Sequence, residues 1–350
     1  MGFYVYVFYE KKICLNRRVF FGFTAGIGGM IGGAVCCIMP GLFWIYVRGV
    51  AMWFKQVSFY PIAADKLPDF EKMAELLAQS EFTPCEGLDW FSEGFAAPFG
   101  FSPELVFPAD FTLRISLKKE EKVLPAGVIR DLVEERVAEI QNAEARNVGR
   151  KEKQELKEQI TDDLLPRAFT RSSRCQAVLD SKHGYLFINH AAATKAENML
   201  TKLREALGGL EARLPDTQQS PSSLMTEWLL RGAAEGGFEL DSDCELKGVG
   251  DMAPVIKISK QDLTADEVVQ HVKSGKTVTQ LGLVWREQIS FVLSQDFTLK
   301  RIRYLDVLQE EAEGYADDAA GLAFASQVLM AETLSVMLDE LAGYLGGWKV

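Results

Sequence analysis

Apolar and polar residues alternate along several stretches of the chain, which is the pattern of strands with one buried face. The first of these stretches is rich in aromatic residues and ends at Pro61. Two others, 174–180 and 185–190, are close enough to predict a hairpin. The predicted strands cover residues 53–62, 111–119, 174–180, 185–190, 277–285, 288–293 and 298–305.

Other stretches carry apolar residues three and four positions apart, the spacing of an amphipathic helix. Thr194 with Glu197, and Thr264 with Glu267, have the spacing of a capping box and predict two helix starts. Gly208 follows the first of these helices, where a C-terminal cap is expected. The predicted helices cover residues 65–80, 194–207, 264–274 and 317–345, the last of them apolar on most of its surface.

Two further helices are predicted to form an antiparallel hairpin. The first begins at Pro125 and carries one apolar stripe. After residues 147–149, a second and very polar helix continues to Pro166. Because the shared apolar seam is narrow and the outer faces are charged, we expect this hairpin to project from the main core.

Strands and helices are mixed irregularly and no internal repeat is evident, which favours an α+β fold with mixed sheets. Residues 82–110 are predicted to form an ordered loop with short strands, and residues 215–223 an internal linker. The predicted division is 1–51, an apolar extension; 52–124, a central part; 125–172, the helical hairpin; 173–214, the central part continued; 215–305, a second α+β part; and 306–350, a C-terminal helix on the core.

Residues 1–51 differ in character from the remainder. Residues 19–47 form an uncharged run of 29, whereas about 20 apolar residues suffice to span a bilayer. One interpretation is a membrane-anchored protein that uses this run as its span. The other, which we favour, is that Met52 is the native start and 1–51 are upstream sequence, because the cysteines after Met52 form no disulfide pattern.

The charge balance limits the possible partners. The whole chain carries a net charge of −11, and residues 52–350, with 33 basic and 48 acidic residues, carry −15. Because affinity for nucleic acid follows the phosphates that are neutralised, a DNA-binding protein of this composition needs a local basic surface.

No motif in the sequence predicts a catalytic or cofactor site. Residues 275–277 resemble the end of a phosphate-binding loop, but Gln270 replaces the glycine that this loop requires. Asp241, Asp243 and Glu245 alternate and could hold Mg²⁺ for a nuclease, although we interpret them as a solvated acidic loop. We therefore predict a protein that is not an enzyme and has no metal, cofactor or small-molecule substrate.

Clusters of basic residues are the candidates for contacts with phosphates. One ends the strand at 111–119, one follows the helical hairpin, and one lies on the strand at 298–305, where Arg301 and Arg303 share a face. Arginine suits phosphate oxygens, but ion pairs with the chain's own carboxylates are an equally weighted alternative. The candidate DNA-binding residues are Lys118, Lys119, Lys122, Arg167, Arg171, Arg174, Lys276, Lys300, Arg301 and Arg303.

Several short motifs, in order along the chain from Met52, resemble the RdgC family of recombination-associated proteins. Residues 1–51 have no counterpart in this pattern. The motifs are residues 52–55 (MWFK), 82–85 (FTPC), 119–125 (KEEKVLP), 164–169 (LLPRAF), 226–228 (TEW), 260–264 (KQDLT) and 299–301 (LKR).

The resemblance implies a homodimer closed into a ring, with a basic central hole that encircles double-stranded DNA. It implies binding with little sequence preference, restraint of RecA-driven recombination, and a place in the nucleoid of the bacterial cytoplasm. Phe169 matches a residue at one ring-closing interface, and Lys260 and Gln261 match residues at the other. The alternative for Phe169 is burial in the core of its own subunit.

Overall fold

The computed structural model describes residues 52–63, 67–250, 253–316 and 318–349. The interpretations of 1–51, as upstream sequence or as an anchor with a span at 19–47, concern residues outside the described part of the chain. The described residues form an α+β fold with two antiparallel sheets.

Each of the six predicted helices has a counterpart among the described residues, and two further helices, at 221–231 and 306–314, were not predicted. The first is shorter than predicted and begins where Asp69 accepts a hydrogen bond from the Lys72 N–H (2.8 Å). A short 3₁₀ turn, Leu165–Arg167, directly follows the third helix. The helices are α1 (Phe70–Ala78), α2 (Ala126–Glu144), α3 (Arg150–Leu164), α4 (Ala193–Leu207), α5 (Pro221–Arg231), α6 (Asp266–Lys273), α7 (Asp306–Gly314) and α8 (Ala319–Tyr344).

Both predicted capping boxes are wrong. α4 starts one residue before Thr194, and its N-cap, Ala192, has no side chain that could cap the helix. Thr264 lies in the turn before α6, where its hydroxyl and its N–H both donate to Asp262 Oδ1 (2.7 and 2.9 Å). The predicted C-terminal cap of α4 is confirmed, since Gly208 has φ +72°, which glycine adopts without strain.

The predicted linker at 215–223 is shorter than expected. Ser220 accepts a hydrogen bond from the Ser223 N–H (3.2 Å), and α5 begins directly after it at Pro221. Proline suits the first position of a helix, because the N–H at this position has no acceptor within the helix and proline lacks that N–H. Thr217 forms an isolated bridge with Trp348, so the remaining loop is attached to the C-terminal segment.

The first sheet is built around two long strands. β4 and β5 are paired over their whole length, from Thr112 opposite Asp180 to Val123 opposite Phe169. Both are therefore longer than predicted, and β5 starts five residues earlier than expected. In the order β1-β6-β5-β4-β2, with β3 also on β4, the strands are β1 (Ser58–Pro61), β2 (Phe91–Phe95), β3 (Val106–Ala109), β4 (Thr112–Val123), β5 (Phe169–Asp180) and β6 (Tyr185–Ile188).

The second sheet contains the three predicted C-terminal strands and two that were not predicted. Its order is β11-β10-β9-β7-β8. The interpretation of the acidic residues at 241–245 as a solvated loop is wrong, because they lie on β7. The strands are β7 (Phe238–Lys247), β8 (Val255–Ile258), β9 (Thr277–Trp285), β10 (Ile289–Ser294) and β11 (Leu299–Tyr304).

The segment before β1 joins the two sheets. Val57 exchanges two backbone hydrogen bonds with Leu299 on β11 (2.8 and 2.9 Å), and the Ile302 N–H donates to the Lys55 carbonyl (2.8 Å). One residue later the same segment becomes β1 and pairs with β6. The edge of the second sheet is therefore continuous with the edge of the first.

Helix α8 lies at the centre of the larger core. It is long and apolar enough to be a candidate membrane span, but 61% of its most apolar window is buried inside the protein, as expected of a core helix. Met330, Leu334 and Leu338 on this helix are fully buried. A second core packs α1 and α4 against the first sheet. Cys85, Cys175 and Cys244 are free thiols.

Arg114 on β4 is fully buried. Its guanidinium lies 5.0 Å from the ring centroids of both Phe54 and Phe99, and it donates to the Met52 carbonyl (2.7 Å). Burial lowers the pKa of this guanidinium to about 9. Arg114 thus fixes the start of the described chain onto the first sheet.

Candidate nucleic-acid interface

The paired segments 118–123 of β4 and 169–174 of β5 carry five of the candidate cations. Residues 169–174 are all exposed, because α1 and α4 pack against the other half of this strand pair. Lys118 lies opposite Arg174, and Glu121 lies opposite Arg171. Since alternate residues of a strand point to opposite faces, these cations divide between the two faces of the sheet.

On one face the cations contact the neighbouring loops. Lys118 lies 3.9 Å above the ring of Phe82, and Arg174 donates to the Ala97 carbonyl (2.6 Å). Lys122 is buried and donates to the Gly87 carbonyl. Lys122 therefore attaches the loop at Gly87 to β4, and little of its side chain remains accessible.

On the other face a carboxylate joins two of the cations. Glu121 pairs with Lys119 (2.7 Å) and with Arg171 (3.1 Å). Hydrogen bonds from Lys119, and then from Arg171, lower the pKa of the Glu121 carboxyl. Arg167, on the 3₁₀ turn just before β5, is exposed and has no ion pair within the described part of the chain.

The second cluster of cations lies on β11. A β-bulge places Arg301 and Ile302 opposite a single residue of β10, and Arg301 has φ +52°. As a result Lys300 and Arg301, although consecutive, both line one groove of about 460 Å³ on the open face of the second sheet. Ile302 is buried on the other face and Arg303 is exposed, so the prediction that Arg301 and Arg303 share a face is confirmed.

This groove contains acidic residues as well. Arg301 pairs with Asp243 (2.9 Å), and Lys257 pairs with Glu245 (3.1 Å). Lys300 and Arg303 have no ion pair among the residues that the structure describes. The sequence did not indicate Lys257, because its strand, β8, was not predicted.

Lys276 lies between α6 and β9 and belongs to none of the strands β4, β5 and β11. It follows Gly275, which has φ +88° and ends the turn after α6. Its ammonium donates to the Ser274 hydroxyl (2.8 Å). The glycine is thus part of a helix end, in agreement with the rejection of a phosphate-binding loop.

The acidic residues of β7 do not converge on one point. Asp241 accepts a hydrogen bond from the Ser242 N–H (2.7 Å), while Asp243 and Glu245 face cations. Within the described ranges, no group of three or more histidine, cysteine, aspartate or glutamate side chains is placed to hold a metal ion.

The candidate interface residues lie at the surface. Phe169 is 87% exposed, so the alternative that it is buried in its own core is wrong. Lys260 is exposed with φ +56°, and the Gln261 amide donates to Glu267 (2.7 Å). Val123, which lies opposite Phe169, is also exposed, as are Leu88, Trp90, Phe91 and Val128.

Helices α2 and α3 contact each other, and a groove of about 950 Å³ runs between them and Trp90. The groove is lined by apolar residues of α2 such as Ile129 and Val133 and by polar residues of α3 such as Lys153 and Gln154. A projecting hairpin and a ring-shaped dimer remain predictions.

Comparison with known proteins agrees with the sequence motifs. A family model described as "Putative exonuclease, RdgC" matches residues 52–348. The chain belongs to the RdgC family. Two relatives named "Recombination-associated protein RdgC" are those of Neisseria meningitidis serogroup C, 78% identical over 298 residues, and Laribacter hongkongensis, 50% identical over 297. These alignments cover 85% of this chain and 100% and 99% of the relatives.

A more distant RdgC of the same printed name, from Pseudomonas aeruginosa, is 37% identical over 302 residues, which is 85% of this chain and 99% of the relative. The names of these RdgC proteins associate them with recombination, whereas the family model carries a nuclease description. The two descriptions differ in whether they assign the family a nuclease activity.

Proposed function

We propose that the protein binds duplex DNA without sequence preference, encircles it as a ring-shaped homodimer in the nucleoid, and limits RecA-mediated recombination. The observation that carries this proposal is the presence of two clusters of exposed and half-buried cations on an acidic chain of a recombination-associated family. We define them as the β4–β5 cluster (Lys118, Lys119, Arg167, Arg171 and Arg174) and the β11 cluster (Lys300, Arg301 and Arg303).

The form of these clusters suits phosphates better than bases. All but Arg167 project from strands of broad sheets, and neither cluster is carried by a helix that could enter a major groove. Arginine forks and lysine ammonium groups on such a surface bind the DNA backbone, which is the same for every sequence. An acidic body is compatible with this binding if the clusters face the DNA and the carboxylate excess faces solvent.

The exposure of Phe169 supports the dimer. Phe169 is 87% exposed and lies opposite Val123, which is also exposed, so the end of the β4–β5 pair carries adjacent apolar side chains of the kind found in interaction sites. A second copy is proposed to cover them. Lys260 and Gln261, also accessible, are proposed to form the other contact that closes the ring.

We propose that the protein acts by binding and not by cleavage. The two carboxylates of β7 that line the β11 groove, Asp243 and Glu245, are each paired with a basic side chain. A carboxylate held by a cation is a poor starting point for a metal-dependent nuclease site, which requires converging free ligands. No small-molecule substrate or cofactor forms part of the proposal.

Encirclement is tested by comparing two forms of DNA. The protein should remain on closed circular duplex at a salt concentration that removes it from short linear duplex, because a closed ring cannot slide off a circle. Phe169→Ala should weaken the dimer in analytical ultracentrifugation and abolish this difference. Equal retention of the wild-type protein on the two forms would exclude a closed ring.

A further inference from the structure

Carboxylates of the chain pair with several cations of the two clusters. Asp243 pairs with Arg301 in the β11 cluster, and Glu121 pairs with Lys119 and Arg171 in the β4–β5 cluster. The side chain of Asp243 is 20% exposed and that of Glu121 is 34% exposed, so both pairs are in contact with solvent.

The position of Asp243 depends on an irregularity of β7. The pairing of β7 with β9 shifts between Leu240 and Cys244, so residues 241–243 lie opposite Gly282 alone. A Cβ atom at Gly282 would lie 3.1 Å from the Asp243 carbonyl oxygen and 3.2 Å from Asp241 Cβ, a tight fit against this bulge.

Asp243 and Arg301 belong to strands that are not neighbours, since β9 and β10 lie between them. Their ion pair therefore reaches across the open face of the sheet. Each partner is placed by its own bulge, Asp243 on β7 and Arg301 on β11. The bulges thus bring one carboxylate to the cation that would otherwise be free to bind a phosphate.

We propose that Asp243 and Glu121 compete with DNA phosphates for the cations of the two clusters. The affinity for duplex DNA is then lower than it would be if these cations had no carboxylate partner. This inference rests on the proposed function. Each carboxylate satisfies the same guanidinium or ammonium donors that a phosphate oxygen would satisfy. Because exposed ion pairs are weak, a phosphate can displace the carboxylate. The free energy gained from the new phosphate contact is then reduced by the free energy lost when the ion pair breaks.

The physical consequence is a measurable change in salt dependence. Binding weakens with salt by a logarithmic slope of about 0.9 for each phosphate that is neutralised. If Asp243→Asn frees Arg301 for one further phosphate, the affinity ratio between 50 and 200 mM salt increases by about 3.5-fold. Glu121→Gln frees Lys119 and Arg171, so the increase should be equal or larger.

The experiment measures binding of the full-length protein to a labelled duplex of mixed sequence by fluorescence anisotropy at several salt concentrations. Asp216→Asn and Glu205→Gln are matched controls. They remove a carboxylate from the exposed ion pairs with Lys349 (3.0 Å) and Lys202 (2.8 Å), which lie outside both clusters. The controls measure the general effect of removing one negative charge.

We expect Asp243→Asn and Glu121→Gln to bind more tightly than the wild type, with a steeper salt dependence than the controls. A gain no larger than that of the controls would overturn the proposal, and a loss of affinity would show that the carboxylates instead position the cations. If the wild-type protein itself failed to bind duplex DNA, the proposed function would fail first. Thermal unfolding verifies that each variant is folded. If Asp243→Asn is unstable, Glu121→Gln provides the test, because Glu121 lies at the surface of its strand.

Discussion

Replacing Lys300 and Arg303 together by glutamine should weaken DNA binding in a way that the structure quantifies. These residues are the two members of the β11 cluster without an ion pair among the described residues, so no carboxylate is released when their charge is removed. Each should therefore neutralise one phosphate in full. Arg301 is excluded from the double variant because Asp243 already neutralises part of its charge.

The expected magnitude follows from the two phosphates that the double variant no longer neutralises. Their absence lowers the logarithmic salt slope by about 1.8, which reduces the affinity ratio between 50 and 200 mM salt by about 12-fold. Both side chains lie on the solvent side of β11, so the free energy of unfolding should change by no more than about 0.5 kcal/mol. A loss of binding thus cannot be attributed to unfolding.

Anisotropy titrations with a mixed-sequence duplex at several salt concentrations provide the slope. Lys72→Gln with Lys273→Gln is the matched control, because both lysines are exposed and belong to neither cluster. If the slope of the Lys300 and Arg303 double variant equalled that of the control, β11 would not contact phosphates, and the assignment of this cluster would be refuted.

Two further predictions concern stability and catalysis. Asp180 is fully buried and accepts hydrogen bonds from the Lys182 and His183 N–H groups, His183 Nδ1 and the Ser335 hydroxyl. Asp180→Ala should therefore lower the free energy of unfolding, measured by urea denaturation, by about 3 kcal/mol, and a loss below about 1 kcal/mol would show that this network adds little. Labelled linear duplex incubated with the protein and Mg²⁺ should stay intact, and protein-dependent shortening that ceases with EDTA would contradict action by binding alone.

The elements with regular alternation were predictable from the sequence. The strands β9, β10 and β11 and the helix α8 were predicted within about two residues, because their apolar positions repeat without interruption. β7 was missed because the bulge at residues 241–243 interrupts its apolar alternation with three polar residues. The helix starts were missed where a capping-box spacing occurred by chance inside or before the helix, as at Thr194.

The candidate site was predictable only as a set of cations. Sequence spacing indicated which basic residues cluster along the chain, but not that Lys122 is buried against the Gly87 carbonyl. It also could not pair Arg301 with Asp243, because that contact depends on strand order and on two bulges. Arg114 was missed for the same reason, since its burial between two aromatic rings depends on distant segments.

The central claim is that local cations on an acidic protein bind the DNA backbone, and its most direct test is the salt dependence of duplex binding by the wild-type protein. If 6–10 phosphates are neutralised, affinity should fall by about 10³–10⁵ between 50 and 200 mM salt, equally for duplexes of unrelated sequence. An affinity that changed by less than about tenfold over this range, or that followed the base sequence, would contradict it.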